Sequence, residues 1–248
     1  MQSLELLTEG NYFHIYNHGI DDQDLFRGTD DYNYFLHLYE KYIDPVAETF
    51  AWVLMKNHFH LLIRIKENMV YKYSNADRSN DAVRFEEIKW ETINLNNLSA
   101  SEEPDSIMKN KKPQPHLHFS HLFNAYTKYI NKQYQRHGNL FERPFKRKQI
   151  NSQSYLKQIV IYIHNNPVHH NFCQHPVEYP WSSYLSCISV KSTKLQRDSV
   201  IGWFDDVGNF KYCHEGKIEI EQIEKFLNIN QATCQRPKDL TALEKNKI

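Results

Sequence analysis

The sequence predicts an α+β fold of the ferredoxin-like kind, in which helices pack on one face of an antiparallel sheet. Two observations support this prediction. Short segments with alternating side chains occur early in the chain, and segments with helical periodicity lie between and after them. The first elements read as a strand, a helix and a hairpin, an order that is typical of small α+β sandwiches.

Four elements are predicted in the first 65 residues. A strand is predicted at residues 11–17, where every second side chain shares a face. An amphipathic helix follows at 29–43 and carries acidic residues in its first turn. Strands are then predicted at 48–55 and 58–65, and Lys56-Asn57 between them has the composition of a tight hairpin turn.

Two further helices are predicted in the second half of the chain. Helical periodicity occurs at residues 119–135 and again at 152–164. The second of these helices is expected to end at Asn165-Asn166-Pro167, since proline disrupts helical hydrogen bonding. A basic connector or strand is predicted between them at 141–150.

The domain organisation follows from shifts in composition. Residues 1–185 are predicted to form the main domain, interrupted at about 68–118 by a polar insertion rich in Ser, Asn, Asp and Pro. One short ordered piece is expected within that insertion, near 83–93. Residues 186–248 are predicted to be a C-terminal appendage, with two short helices near 199–204 and 218–227 and a polar tail.

The overall composition excludes several classes of protein. The 248 residues carry 30 Lys and Arg against 30 Asp and Glu, so no global basic bias indicates nucleic-acid binding. Four widely spaced cysteines, with no CxxC pair, argue against a zinc knuckle and a disulfide framework. The sequence lacks the features of a signal peptide and any apolar run of membrane-spanning length. We therefore expect a soluble, cytoplasmic protein without a membrane partner.

The strand predicted at 58–65 begins with His58-Phe59-His60. Residues at i and i+2 of a strand point to the same face, so the two imidazoles would lie side by side while Phe59 points into a core. Two neutral imidazoles on one rigid face form half of a divalent-metal site. In a chain with 14 histidines, a pair of half-exposed sheet residues is the alternative interpretation of this motif alone.

A basic stretch lies between residues 126 and 150, where seven Lys or Arg accompany a single acid, Glu142. Aromatic residues are interspersed among these cations. Cations for phosphates beside flat rings for bases are the composition of a groove that binds single-stranded nucleic acid. A solvated helix face is the alternative interpretation. The candidate DNA-binding residues are Lys128, Lys132, Arg136, Arg143, Lys146, Arg147 and Lys148.

Five ordered blocks of this sequence resemble the single-tyrosine HUH transposases, especially the REP-associated tyrosine transposases. Leu54-Met-Lys-Asn-His-Phe-His-Leu-Leu looks like the HUH signature, in which two histidines flank a bulky hydrophobic residue. The strand block Tyr12-Phe-His-Ile-Tyr-Asn-His-Gly precedes it, although the family more often has Arg where His18 stands. The later blocks are Phe123-Asn-Ala-Tyr-Thr-Lys-Tyr-Ile-Asn, Gly138-Asn-Leu-Phe-Glu-Arg-Pro-Phe-Lys-Arg, and Tyr162-Ile-His-Asn-Asn-Pro-Val with Tyr179-Pro-Trp-Ser-Ser-Tyr.

The resemblance implies the ferredoxin-like HUH endonuclease fold, here with a C-terminal helical extension, and a metal-dependent single-strand DNA nuclease and strand transferase. His58 and His60 would hold Mg²⁺ or Mn²⁺. Tyr126, in the block that resembles the catalytic-tyrosine helix, would attack a phosphate and form a 5′-phosphotyrosine. The implied partner is single-stranded or hairpin DNA. Both homodimers and monomers occur among such proteins.

The third metal ligand has two candidates. Transposases of this kind commonly carry Gln or Asn one turn after the tyrosine, but Ile130 stands four residues after Tyr126. Asn131 matches the family block by position, although it lies ~140° around an ideal helix from Tyr126. The alternative pair is Tyr129 with Gln133, which has the i, i+4 spacing. Tyr126 and Asn131 are preferred because the whole block matches.

Two other functional hypotheses remain open at the level of sequence. One is a domesticated DNA-binding module that keeps the fold but does not cleave. The other is an unrelated α+β protein in which the histidines have no chemical role. The ordered blocks favour the transposase-like interpretation over the second of these. A relaxase or replication initiator would share the HUH chemistry, but the flanking blocks do not resemble either class.

Overall fold

The structure, a computed structural model of the chain, describes residues 5–73, 90–97, 107–108 and 111–216, together with Ile223 and Lys225. The strands are β1 (Tyr12–His18), β2 (Ala47–Leu54), β3 (His58–Ile65), β4 (Met69–Tyr73), β5 (Trp90–Asn94), β6 (Ile107–Met108) and β7 (Lys146–Ile150). The helices are α1 (Thr29–Tyr42), α2 (Pro115–Gln133), α3 (Gln153–His169), α4 (Tyr184–Ile188), α5 (Arg197–Trp203) and α6 (Val207–Glu215).

The main sheet is antiparallel and has the strand order β2-β3-β1-β7. In its register, Tyr16 pairs with His60 and His18 with His58. The strand β7 lies at the edge beside β1, and Tyr16 pairs there with Lys146. With its helices, this sheet is the α+β architecture that the sequence predicts.

Helices cover both faces of the sheet. The strand β3 is buried at seven of its eight positions, all but Arg64, and such a strand needs packing partners on each side. The first face packs against α1 and α2 through Phe13, Ile15, Phe35, Phe59, Phe123 and Tyr126. The second face packs against α3 through Tyr16, Val53, Leu62, Leu156, Ile159 and Tyr162. The expectation of helices on one face therefore holds for α1 and α2, whereas α3 occupies the other face.

The predicted insertion contributes a second, smaller sheet with the order β5-β4-β6. The strand β4 follows β3 after a three-residue turn at 66–68. Within the expected ordered piece near 83–93, residues 90–93 belong to β5, while 83–89 lie outside the described residues.

The C-terminal helices share a core with α3 and the sheet. Leu195, Val200, Phe204 and Phe210 are buried in the same cluster as Ile163. Two short helices, α5 and α6, occupy part of the predicted appendage. Most of the second predicted helix, near 218–227, lies outside the described residues. No helix in the part of the chain that the structure describes is long and apolar enough to cross a membrane.

A buried hydrogen-bond relay attaches α6 to α3 and β2. His214 Nδ1 donates to the carbonyl of Phe210 at 2.7 Å, so its Nε2 accepts from His164 Nδ1 at 3.0 Å. His164 Nε2 then accepts from the hydroxyl of Ser183 at 2.8 Å, and that oxygen accepts from the backbone N–H of Trp52 at 2.9 Å. With both imidazoles neutral, each ring nitrogen has one partner in this relay.

This relay makes stability dependent on pH. Burial lowers the pKa of His214 to about 4, whereas a histidine of the unfolded chain titrates near ~6.5. The unfolded chain therefore binds a proton that the folded chain does not accept until the pH falls to about 4, so stability present above pH ~6.5 is lost between these values. We expect the free energy of unfolding to fall by roughly 2 kcal/mol for this residue between pH 7 and pH 5.

Urea unfolding followed by circular dichroism at both pH values measures this effect. Between pH 7 and pH 5, the free energy of unfolding should fall less in His214→Gln than in the parent protein. In His37→Gln, at an exposed position of α1, it should fall as much as in the parent protein. Equal pH dependence in the two variants would contradict the assignment.

Candidate active site

Two pairs of stacked histidines line the start of β3 and the facing end of β1. His58 and His60 lie on one face of β3, with ring centroids 5.3 Å apart. The ring of His18 stacks on His58 at 4.9 Å, and the ring of His14 stacks on His60 at 5.1 Å. The strand register produces this arrangement, since side chains of paired residues in antiparallel strands point to the same face.

The helix α3 covers these histidines with Tyr162 and Asn166. The side-chain oxygen of Asn166 lies 3.0 Å from His58 Nε2. The ring of Tyr162 meets the ring of His60 edge to face, with centroids 5.3 Å apart. Tyr162 and Asn166 are four residues apart on one helix, so they share a face one turn apart. The structure therefore brings a tyrosine, an amide and two histidines together.

Burial keeps the histidines neutral. It lowers the pKa of His58 and of His60 well below the ordinary value, and charge on the neighbouring histidines would lower both further. The pKa of His14 is lowered to about 3 by burial alone. A neutral imidazole offers one lone pair, which is the form that binds a metal ion.

The donor set at His58 fits a cation. His58 Nδ1 lies 2.8 Å from the side-chain oxygen of Asn57, and a proton on Nδ1 satisfies that contact. Nε2 then presents its lone pair to the Asn166 oxygen, so two acceptor atoms face each other at 3.0 Å. A divalent cation bound by both atoms would satisfy them. His14 Nδ1 and His18 Nδ1, both buried, have no hydrogen-bond partner in the described structure.

The converging donors are imidazoles and an amide. Among the described residues, no three His, Cys, Asp or Glu side chains are grouped so that they could hold a metal ion. The residues that could hold one here are His58, His60 and Asn166. Imidazole and amide oxygen together suit a borderline to hard divalent ion.

Tyr126, the predicted nucleophile, lies on the opposite face of the sheet. Its ring packs against Phe35, at a centroid distance of 5.1 Å, and its hydroxyl donates to the carbonyl of Leu25 at 2.8 Å. Burial raises its pKa far above the ordinary value for tyrosine. The helix α2 packs on the face that contains Phe59, and Phe59 points away from His58 and His60. The predicted grouping of Tyr126 with the two histidines is therefore not formed.

Neither candidate for the third ligand reaches the histidines. The side chain of Asn131 binds Arg136 through its oxygen, at 2.8 Å, and the carbonyl of Gly138 through its nitrogen, at 3.0 Å. It therefore stabilises the turn after α2. Gln133 is exposed on the same helix. Tyr129, the alternative nucleophile, stacks on Tyr34 of α1 at 4.1 Å. All of these residues lie on the α2 side of the sheet.

The sheet also divides the predicted DNA-binding residues. Lys146 and Lys148 pair with Tyr16 and His14, so they point to the face of the histidines. Burial lowers the pKa of His18, and the charge of Lys146 lowers it further while that of Asp22 raises it. The other candidates do not share this face: Lys128, Lys132, Arg136, Arg143 and Arg147 lie on α2, in the loop after it, or on the opposite face of β7.

Tyr162 and Asn166 are not among the residues that the sequence predicts for the site. Their i, i+4 spacing is the signal that could have identified them, and it lies within a block that resembles the family. The predicted helix ended before Asn165, whereas α3 continues through Pro167 to His169. Because the predicted helix ends before Asn166, the prediction does not place Asn166 on the same helical face as Tyr162.

No protein-family model matches this chain, and no curated protein matches it either. Its structure is similar to the solved structure of a REP-associated tyrosine transposase bound to a REP hairpin, with a TM-score of 0.50 and 14% sequence identity. The match covers 76% of this chain and 85% of that chain. Similarity at this level of identity establishes the fold. The predicted fold class is thus confirmed: this chain has an α+β fold like that of the solved REP-associated tyrosine transposase.

Proposed function

We propose that this chain is a metal-dependent single-strand DNA endonuclease and strand transferase, and that its nucleophile is Tyr162. One observation carries the proposal. Tyr162 and Asn166 lie one turn apart on α3, where Tyr162 contacts His60 and Asn166 contacts His58. A tyrosine ring packed on one of two neutral imidazoles, one helical turn from an amide oxygen, supplies a nucleophile and metal donors of the kind that metal-assisted phosphoryl transfer to tyrosine requires.

His58, His60 and Asn166 would hold Mg²⁺ or Mn²⁺. Such an ion supplies Lewis-acid stabilisation of the negative charge that develops on a scissile phosphate. With its proton on Nδ1, His58 would donate to the Asn57 side-chain oxygen, and Nε2 would be the atom that acts as a ligand.

The chemical step assigned to Tyr162 is an in-line displacement at phosphorus. Its phenolic oxygen forms a bond to phosphorus and loses its proton, while the bond from phosphorus to the 3′ oxygen breaks and that oxygen takes up a proton. The products are a 5′-phosphotyrosine and a free 3′-OH. Attack by the 3′-OH of another strand reverses the step, so strands are rejoined without a nucleotide cofactor.

All four side chains of this site belong to one chain, so the proposal does not require a homodimer. The similar transposase was solved with a REP hairpin, and hairpin or single-stranded DNA is the substrate class that we propose for this chain. Lys146 and Lys148 lie on the same face as the site and would contact the phosphates.

A second candidate function is DNA binding without cleavage, and burial of the site favours it. His58, His60, Tyr162 and Asn166 are each at most 2% exposed. A phosphodiester reaches Tyr162 only after α3 moves away from the sheet at this end. Cleavage therefore requires that DNA binding drive this movement, whereas simple binding does not.

Formation of a covalent adduct tests the proposed nucleophile. The protein is incubated with Mn²⁺ and single strands that carry hairpins from the DNA flanking its gene, and the adduct is measured on a denaturing gel. Tyr162→Phe should abolish the adduct, because it removes the attacking oxygen and leaves the ring packed on His60. EDTA should abolish it as well. Binding to the same strands should persist in Tyr162→Phe.

Matched controls distinguish Tyr162 from the other two tyrosines. Tyr126→Phe and Tyr129→Phe should retain the adduct. Loss of the buried hydrogen bond from Tyr126 to Leu25 is expected to cost only about 1 kcal/mol of stability. An adduct that persists in Tyr162→Phe but vanishes in a folded Tyr126→Phe would exclude our assignment. Tight binding with no adduct in any variant would select the second candidate function.

The side of the sheet on which DNA lies is tested with paired lysine variants. Lys146→Ala with Lys148→Ala should weaken binding to single strands. The slope of log K against log salt concentration should become shallower by up to roughly 1.4, which is ~0.7 for each phosphate that is no longer neutralised. Lys128→Ala with Lys132→Ala, at positions on α2 across the sheet, should leave both nearly unchanged. Fluorescence anisotropy across a salt series measures both quantities. A larger effect from the α2 pair would place the DNA on the other face.

A further inference from the structure

A cavity of about 480 Å³ lies between α2 and the segment that leads into β7. It lies on the α2 side of the sheet, so it is separate from the histidine site. Its volume is within the range of pockets that bind small molecules, roughly 300 to 1,000 Å³. Nothing in the proposed cleavage reaction uses it.

Phenylalanine rings and arginines line this cavity. Phe123, Phe141 and Phe145 form a continuous aromatic surface, with Phe145 at a centroid distance of 5.5 Å from Phe123. Arg143 and Arg147 belong to the same lining. Flat apolar rings beside guanidinium groups suit a ligand that has both an aromatic ring and a negative charge.

Arg147 is held in place with an unused donor. Its guanidinium carbon lies 4.8 Å from the centroid of the Phe145 ring, a cation–π contact that fixes the group over the aromatic surface. Its Nε is buried and has no hydrogen-bond partner in the described structure. A buried N–H without a partner is costly, so an acceptor supplied by a ligand would stabilise it.

Amide and hydroxyl groups lie at the rim. Asn124 and Thr127 of α2 and Asn139 of the following segment belong to the lining. The Asn124 oxygen accepts only a long 3.4 Å hydrogen bond from Arg143. Groups that both donate and accept are suited to the edges of a nucleic-acid base.

The edge strand β7 connects the cavity to the histidine face. Side chains alternate along it, so Lys146 and Lys148 point to the histidines and Arg147 points toward the cavity. Among the described residues β7 is an edge strand of the sheet, so its outer edge pairs with no other strand. A single strand of DNA passing over this edge would meet Lys146 on one side and Arg147 on the other, beside the ion pair of Lys148 with Glu5.

We propose that the cavity binds one unpaired nucleotide of the DNA strand, with its base against the phenylalanine rings and its phosphate beside Arg143 and Arg147. The strand then continues over β7 to the site of cleavage. The path of the strand from the cavity to the site of cleavage rests on the proposed function. Binding of a nucleotide in the cavity does not depend on cleavage.

Binding in EDTA, where no adduct forms, tests this site separately from the chemistry. Hairpin oligonucleotides with a single-stranded tail are prepared with one abasic residue at each tail position in turn, and their affinities are measured by fluorescence anisotropy. One position should weaken binding about tenfold, the ratio expected from the lower part of the ~1–3 kcal/mol that a stacked base contributes. If no tail position is sensitive, the inference fails whether or not the protein cleaves DNA.

Two variants assign the sensitive position to the cavity. Asn124→Trp places a large ring in the opening and should make the intact and abasic tails bind equally. Lys128→Trp, on an exposed position of the same helix, should retain the tenfold difference and so controls for the added ring. Arg147→Gln keeps the packing more nearly intact, and it should weaken binding of the intact and the abasic tails alike, because the abasic residue keeps the phosphate that Arg147 would contact.

Free mononucleotides distinguish the source of the ligand. Dilute dAMP, dGMP, dCMP and TMP should compete poorly with the tailed hairpin. Competition by one of them at the affinity of the whole oligonucleotide would identify a free-nucleotide site instead and overturn the DNA assignment. Equal behaviour of the Asn124 and Lys128 variants would overturn it as well.

Discussion

The alternation of side chains along β3 is the constraint on which the rest of the structure depends. Every residue of this strand except Arg64 is buried, so each one belongs to one of two cores. Phe59 enters the core beneath α1 and α2, while His58 and His60 enter the core beneath α3. A shift of one residue in register would exchange these environments. The register of β3 therefore determines which helix meets the histidines, and hence which tyrosine does.

Two groups of buried histidines differ in how completely they are hydrogen-bonded. In the relay of His164 and His214, every ring nitrogen has a partner, which suits a structural role in holding α6. Beside His58 and His60, by contrast, His14 and His18 each keep a buried nitrogen without one. Native structures rarely retain such groups except where function requires them. Arg147 Nε, on the α2 side, also lacks a partner, so incomplete hydrogen bonding marks both of the proposed binding sites.

The edge strand β7 gives the basic segment a different meaning from the one that its composition suggests. From composition, the seven cations and the aromatic residues among them are predicted to form a single groove that binds nucleic acid. In the structure, Lys146 and Lys148 face the histidines, Arg147 stacks on Phe145 on the other side, and Arg136 binds Asn131 and Gln23 in the turn after α2. The cations therefore divide into two surfaces that meet at one edge, together with one residue that stabilises a turn.

Local patterns alone determined β1, α1, the β2–β3 hairpin and the shared face of His58 and His60, because each depends on side-chain period over a few residues. The fold class also followed from them. Local patterns did not determine which tyrosine lies beside the histidines. Tyr126 and Tyr162 both lie on helices, and only the packing of α2 and α3 on opposite faces decides between them. Likewise, Asn165-Asn166-Pro167 reads as a helix end, yet burial of these residues against the sheet keeps them helical. Propensity acts within a few residues, whereas that burial depends on strands a hundred residues away.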